Sequence, residues 1–221
     1  MTFSPPESSW LGADIDYQEG LRLQESHFAA VLPGGAETIF LLEHAPVYTI
    51  GRTRDQSSLR KPVHLPHPVV EINRGGQATY HGPGQLVGYP ILNLRNYGKD
   101  LHAYLRTLEE SLVAALADYG VAARRRAGLT GVWVEDRKIA SIGVGVRKWI
   151  AMHGFALNVT AECLPPFLAI TPCGIDGVRM TTLHAESALR PTPQEVGAKI
   201  VHHLHQLLSR LAASAASAED H

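Results

Sequence analysis

The sequence predicts an α/β (α+β) fold, a single domain with a mixed β-sheet flanked by helices. Three observations carry that expectation. Two long segments, from Asp100 to Gly120 and from Pro193 to Leu211, repeat apolar residues with a helical period. Between Gly131 and Val159 the pattern changes to short apolar runs and alternations separated by polar turns, as in a meander of strands. The 221 residues are enough for one large core or two small ones, and no internal repeat or low-complexity linker divides them.

Taken in order, residues 1–12 read as a flexible N-terminal arm, 13–211 as the folded domain and 212–221 as a flexible tail. Tyr17, Leu21, Phe28, Val31 and Leu32 share one face of a first helix. Thr38-Ile39-Phe40-Leu41-Leu42 is continuously apolar, as a buried strand is. Val69-Val70-Glu71-Ile72 is a second strand, and Gln85 to Leu94 a third. Asp100 caps a helix with Leu101, Tyr104, Leu105, Leu108, Leu112 and Leu116 on one face, and Gly120 ends it. The meander follows as Gly131 to Glu135, Lys138 to Val146 and Trp149 to Val159, turning at Asp136-Arg137 and Arg147-Lys148. The last helix runs through Val196, Ile200, Leu204, Leu207 and Leu211.

Composition narrows the function. With 45% hydrophobic and 19% charged residues and a formal net charge of −1, the chain gives no general argument for nucleic-acid binding. Arg124-Arg125-Arg126 is a local basic cluster, most simply the solvated edge of a strand. No apolar run approaches the roughly 20 residues of a membrane helix, and the N-terminus lacks a basic region followed by an apolar one. Two cysteines, Cys163 and Cys173, are too few for a disulfide framework, and a cytoplasmic location is expected. Twelve histidines invite a metal reading. Yet His202, His203 and His205 on the last helix, and His64 and His67 around Pro66, match no zinc signature, so no metal is expected.

The densest chemical signal lies between the second and third strands. Arg74-Gly75-Gly76-Gln77-Ala78-Thr79-Tyr80-His81-Gly82-Pro83-Gly84-Gln85 threads hydrogen-bonding and aromatic side chains between four glycines. Glycine allows close backbone approach to a ligand, and a loop that only turned would not need the arginine, glutamine, tyrosine and histidine. Cys173, between Pro172 and Gly174, sits in a turn with room beside the sulfur, which suits a nucleophile; Cys163, between Glu162 and Leu164, suits a small buried hydrophobe. A thiol with its pKa near 8.5 needs a cation or a base beside it to react at neutral pH. Lys138 is a candidate, since it opens the glycine-punctuated strand Lys138-Ile-Ala-Ser141-Ile-Gly143-Val-Gly145. By pattern alone, a lysine following Glu135-Asp136-Arg137 is more commonly an exposed turn residue. His153-Gly154-Phe155-Ala156-Leu157-Asn158 either lines the same cleft or marks a bulge, and His81 is placed to position a carbonyl or to shuttle a proton.

In order and spacing, Arg74 to Gln85, Lys138 to Gly143, His153 to Asn158 and Pro172-Cys173-Gly174 resemble the motifs of the lipoyl(octanoyl) transferase family. Glu43-His-Ala-Pro-Val-Tyr-Thr-Ile-Gly51 is similar to the family's upstream motif, and the resemblance spans roughly residues 14–210. It implies the fold of the biotin and lipoate protein ligase catalytic domains. It also implies a reaction that needs no cofactor: an octanoyl group passes from octanoyl-acyl carrier protein, through a cysteine acyl-thioester, to the acceptor lysine of a lipoyl domain. The acceptors it implies are the lipoyl domains of 2-oxoacid dehydrogenase complexes and the glycine cleavage H protein. Carried over residue by residue, Cys173 is the nucleophile and Lys138 its dyad partner. Arg74, Gly75, Gly76, Gln77, Ala78, Thr79, Tyr80 and His81, with Ser141, Ile142 and Gly143 and with Gly154, Phe155 and Ala156, form the acyl and substrate site. An ATP-dependent lipoate- or biotin-type ligase on the same fold is the alternative activity. The expected assembly is a monomer.

Overall fold

The computed structural model describes residues 3–51, 58–59, 65–172 and 177–219. Among these, eight strands form one mixed sheet. Its order from edge to edge is β1 (Glu7–Trp10), β2 (Thr38–Leu42), β6 (Gln85–Ile91), β10 (Ile150–Asn158), β9 (Arg137–Arg147), β8 (Leu129–Val134) and β7 (Arg124–Arg126). The two-residue β11 (Arg179–Met180) pairs with the start of β9, parallel to it. β1 is parallel to β2, and the remaining neighbours in this sheet are antiparallel. Three shorter strands make a second sheet in the order β4 (Val69–Glu71), β3 (Val47–Ile50), β5 (Thr79–His81).

Helices cover both faces of the main sheet, and a single-turn α3 (Leu183–Glu186) follows β11. β2 shows why its sequence is apolar throughout. Ile39 and Leu41 join the core beneath α2 (Leu101–Ala117) and α4 (Pro193–Glu219), while Phe40 and Leu42 join the core beneath α1 (Tyr17–Val31). Successive side chains on a strand point to opposite faces, so a strand covered twice has no polar face. On α2, Leu108, Leu112 and Leu116 fall on the stripe that meets Ile200, Leu204 and Leu208 of α4. Asp16 and Asp100 cap α1 and α2 by accepting from two backbone N–H groups each. Among the described residues, no helix is long and apolar enough to cross a membrane.

The structure departs from the sequence expectations at the edges. The N-terminal arm is not loose along its length, because Glu7 to Trp10 pair in register with Thr38 to Leu41 and extend the sheet. Their polar composition hid a strand that is held by backbone hydrogen bonds. At the other end α4 continues past Leu211 to Glu219, through an Ala-Ala-Ser-Ala-Ala-Ser-Ala run of high helix propensity, so residues 212–219 of the expected tail are helical. The third expected strand stops at Ile91, and residues from Leu94 to Tyr97 form a 3-10 turn capped by Asn93. The three arginines are exposed and do form the edge strand β7. β3, β5 and β11 went unanticipated because each has only two to four residues.

The smaller sheet positions the glycine-rich loop, which crosses from β4 to β5. The loop lies against β9, where Gly75 N–H donates to the Val144 carbonyl at 3.1 Å. This approach requires glycine on the strand. A Cβ at Gly145 would fall 2.7 Å from the Asn73 carbonyl oxygen, and one at Gly143 would fall 3.0 Å from Arg74 Cδ.

Candidate active site

Between that loop and the faces of β9 and β10 lies a cavity of about 410 Å³. Arg74, Gly75, Gly76, Thr79 and His81 line it from the loop and β5; Lys138, Ser141, Ile142 and Gly143 from β9; and Gly154, Phe155 and Ala156 from β10. Three segments far apart in sequence, singled out there on chemical character, thus share one wall-to-wall space. Three other expected residues do not line it. Ala78 and Tyr80 alternate with Thr79 and His81 and therefore point the opposite way, into an apolar cluster with Tyr48, Phe167 and Ile170. Gln77 contributes its carbonyl oxygen, which accepts from Arg74 Nη2 at 3.0 Å. Cys173 lies outside the described residues.

Other lining residues were not anticipated. Val87 and Tyr89 come from β6, Tyr17 from the start of α1, Leu101 and Leu105 from the start of α2, and Leu129 and Thr130 from the start of β8. The leucines read in sequence as ordinary core positions of an amphipathic helix, and their distance from the loop along the chain left no local signal. Gly128-Leu-Thr-Gly131 carried a weak one, a glycine pair around a polar residue.

Lys138 is only 1% exposed, which reverses the surface-turn reading of its sequence context. The division of labour is between neighbours on β9. Arg137 stays at the rim, paired with Glu135 and with the Glu186 carboxylate. Lys138 points inward with its Nζ 5.5 Å from the centre of the Trp133 ring. Its backbone is held on both sides, by Trp133 of β8 and by Met180 of β11.

Arg74, also buried, anchors the loop by donating through Nη2 to the Thr49 hydroxyl oxygen at 2.9 Å, to the Thr49 carbonyl at 3.2 Å and to the Gln77 carbonyl, while Nη1 donates to the Gly75 carbonyl at 2.9 Å. His81 lies between Thr49, whose Oγ1 is 3.4 Å from Nε2, and Gln85, whose Oε1 is 2.8 Å from Nδ1. Tyr17 stacks on the His81 ring at 5.9 Å. Burial, reinforced by the nearby His44 and Arg74, pushes the His81 pKa down to about 3, so the ring is neutral. His44 is neutral for the same chief reason, pushed down to about 4, and its Nε2 lies 2.6 Å from the Tyr89 hydroxyl. Burial pushes Tyr17 up to about 12.

The two cysteines separate on chemistry. Cys163 is fully buried in the small-sheet core, its thiol donates to the Thr160 carbonyl, and burial pushes its pKa up to about 12. Such a thiol is inert at neutral pH. Before and after the segment that contains Cys173, the chain is held by backbone hydrogen bonds, the second of them to Lys138. Thr171 N–H donates to the Ser58 carbonyl at 2.7 Å, and Thr181 N–H donates to the Lys138 carbonyl at 3.0 Å.

The chain has recognisable relatives among known proteins. The family model described as the lipoyl protein ligase A/B catalytic domain matches residues 16–205. The chain is 54% identical over 189 residues to an octanoyltransferase of Geobacter sulfurreducens, covering 85% of this chain and 79% of that one. It is 50% identical over 195 residues to an octanoyltransferase of Syntrophotalea carbinolica, covering 88% and 90%. Among solved structures it resembles a lipoate-protein ligase A bound with ATP, with a TM-score of 0.75 at 17% identity, covering 93% of this chain and 86% of that one. That likeness concerns the fold.

Proposed function

The chain belongs to the lipoyl protein ligase A/B catalytic domain family, and on that footing we propose that it is an octanoyltransferase acting in protein lipoylation. The observation that carries the reading is the placement of Lys138, buried at the wall of a cavity lined by the glycine-rich loop and the β9 and β10 segments. The proposed donor is octanoyl-acyl carrier protein and the proposed acceptor a lysine of a lipoyl domain, of the kind found in 2-oxoacid dehydrogenase complexes and glycine cleavage H protein.

In the first half-reaction Lys138 takes the Cys173 thiol proton. The thiolate attacks the thioester carbonyl carbon, the new C–S bond forms, and the carrier's thiolate leaves and is protonated. Exchange of one thioester for another is nearly thermoneutral, so no nucleotide is needed. In the second half-reaction the neutral acceptor amine attacks the acyl-enzyme, the amide C–N bond forms, the C–S bond breaks, and the amine proton passes to Lys138 or the departing Cys173 sulfur. The covalent intermediate divides one encounter of two protein substrates into two sequential ones. Backbone N–H groups near Gly143 or after Cys173 are suited to hold the oxyanion. The apolar walls from Val87, Leu105, Ile142 and Ala156 suit an eight-carbon chain, each buried methylene contributing about 0.8 kcal/mol.

The test mixes the protein with octanoyl-acyl carrier protein and an apo lipoyl domain without ATP. An octanoyl mass gain on the lipoyl domain is expected. Incorporation of free octanoate with ATP, and none from the carrier thioester, would instead identify a ligase.

A further inference from the structure

A directional hydrogen-bond chain crosses the floor of the site. Arg74 Nη2 donates to Thr49 Oγ1, which stands beside His81 Nε2; His81 Nδ1 meets Gln85 Oε1; Gln85 Nε2 donates to Asn158 Oδ1 at 3.0 Å; and Asn158 Nδ2 donates to the Thr181 carbonyl at 3.1 Å. Thr181 in turn donates its N–H to the Lys138 carbonyl. Gln85, Asn158 and Thr49 are all about 1% exposed or less. Water therefore does not compete for these groups.

The two ends set the polarity of everything between them. A guanidinium only donates and a backbone carbonyl only accepts. Because Thr181 offers a carbonyl, Asn158 must turn its NH₂ toward it and its oxygen toward Gln85. Gln85 must then give its NH₂ to Asn158 and its oxygen to His81. His81 meets that oxygen only as an Nδ1–H tautomer. From the other end, Arg74 occupies the Thr49 oxygen and leaves the hydroxyl proton for His81 Nε2. The Thr181 end thus fixes the tautomer, and the Thr49 hydroxyl accommodates it.

We propose that Gln85 and Asn158 are positioning residues for acyl transfer: they hold His81 as the Nδ1–H tautomer, with Nε2 a bare acceptor, and tie that ring to the strand beside Lys138. The proposal rests on the transferase reading above for its kinetic consequence, but its structural content does not. His81 has its single N–H engaged by Gln85, so it does not polarise the acyl carbonyl, and the oxyanion is left to backbone N–H groups. Its Nε2 meets the Thr49 hydroxyl, so the ring braces the loop against β6 and β10 rather than reacting with the thioester. Among the described residues, the titratable groups that face the ring are Tyr17 from α1, His44 after β2, Arg74 in the loop and His153 on β10, and none is a carboxylate. Burial outweighs the Gln85 hydrogen bond, which favours the imidazolium.

Nitrogen NMR of His81 in the full chain reads the tautomer directly, assigned by the signals lost in His81→Gln. A protonated Nδ1 and bare Nε2 at pH 7, unchanged to pH 5, are expected. Gln85→Glu keeps an acceptor for Nδ1–H but adds a carboxylate, and His81 should then titrate above pH 5. Asn158→Leu frees the Gln85 amide to flip. It should give mixed tautomers and a single-turnover rate lower by about tenfold, with the KM for the acyl donor unchanged. An Nε2–H tautomer in the unaltered protein overturns the proposal whatever the variants do, as do unaltered His81 signals and rates in both variants. The NMR measurement needs no turnover, so failure of the tautomer is distinguishable from failure of the transferase reading.

Discussion

Gly131 makes the space that Lys138 occupies. A Cβ added at Gly131 would fall 2.8 Å from Lys138 Cε, 3.3 Å from Nζ and 2.6 Å from the Ala140 carbonyl oxygen. The residue also has φ +122°, a conformation that L side chains rarely adopt. Gly131→Ala is therefore expected to displace the Lys138 amine and to slow acylation about 100-fold, since a misplacement on the order of 1 Å costs that much. Single-turnover acylation by octanoyl-acyl carrier protein measures it; a rate within twofold of the unaltered protein would show that the amine has room elsewhere.

Lys138→Met keeps an unbranched stem against Trp133 and removes only the amine. The variant should fold with little change in thermal midpoint and lose about 10²–10⁴-fold in both half-reactions, the range expected for a positioned acid–base group. Near-normal rates would make Lys138 a packing residue.

Ala156 and Val87 are cross-strand partners that both line the cavity. Ala156→Leu fills space where an acyl chain would lie. The preferred chain should shorten, because each methylene denied burial loses about 0.8 kcal/mol, roughly fourfold in affinity. Comparison of kcat/KM for butanoyl, hexanoyl and octanoyl thioesters reads the shift. An unaltered chain-length profile would place the acyl chain elsewhere.

The buried histidines predict acid sensitivity. His44 and His81 have pKa values depressed from the ordinary 6.5 to about 4 and about 3. The unfolded chain therefore binds more protons below pH 6.5. Their contribution to stability is fully present above that pH and is lost as pH falls toward the folded values. The thermal midpoint should drop between pH 7 and pH 5, while most carboxylates are still ionised, and the drop should be smaller in His44→Gln. A midpoint flat across that range would contradict the neutral assignment.

Much of the main sheet was legible in the sequence, since β2, β9, β10 and α2 announce themselves by period and capping. The covered pairs β2 and β10 read clearly because both faces are apolar. β1 and β11 did not, being held by backbone pairing, which leaves no mark on side-chain character. At the site, the loop and its glycines were legible because close approach demands glycine. The burial of Lys138 was not. Charge pattern placed it beside Arg137 at a turn, and only the register with Trp133 and Met180 shows which of the two adjacent cations turns inward. The role of Gln85 and Asn158 was hidden for a similar reason. They lie 73 residues apart and meet only across β6 and β10.

The central claim is that Cys173 carries the acyl group. Intact-protein mass spectrometry after incubation with octanoyl-acyl carrier protein, without ATP, tests it most directly. The account predicts one octanoyl adduct in the unaltered protein and in Cys163→Ala, and none in Cys173→Ala. An adduct that persists in Cys173→Ala and disappears in Cys163→Ala would contradict it.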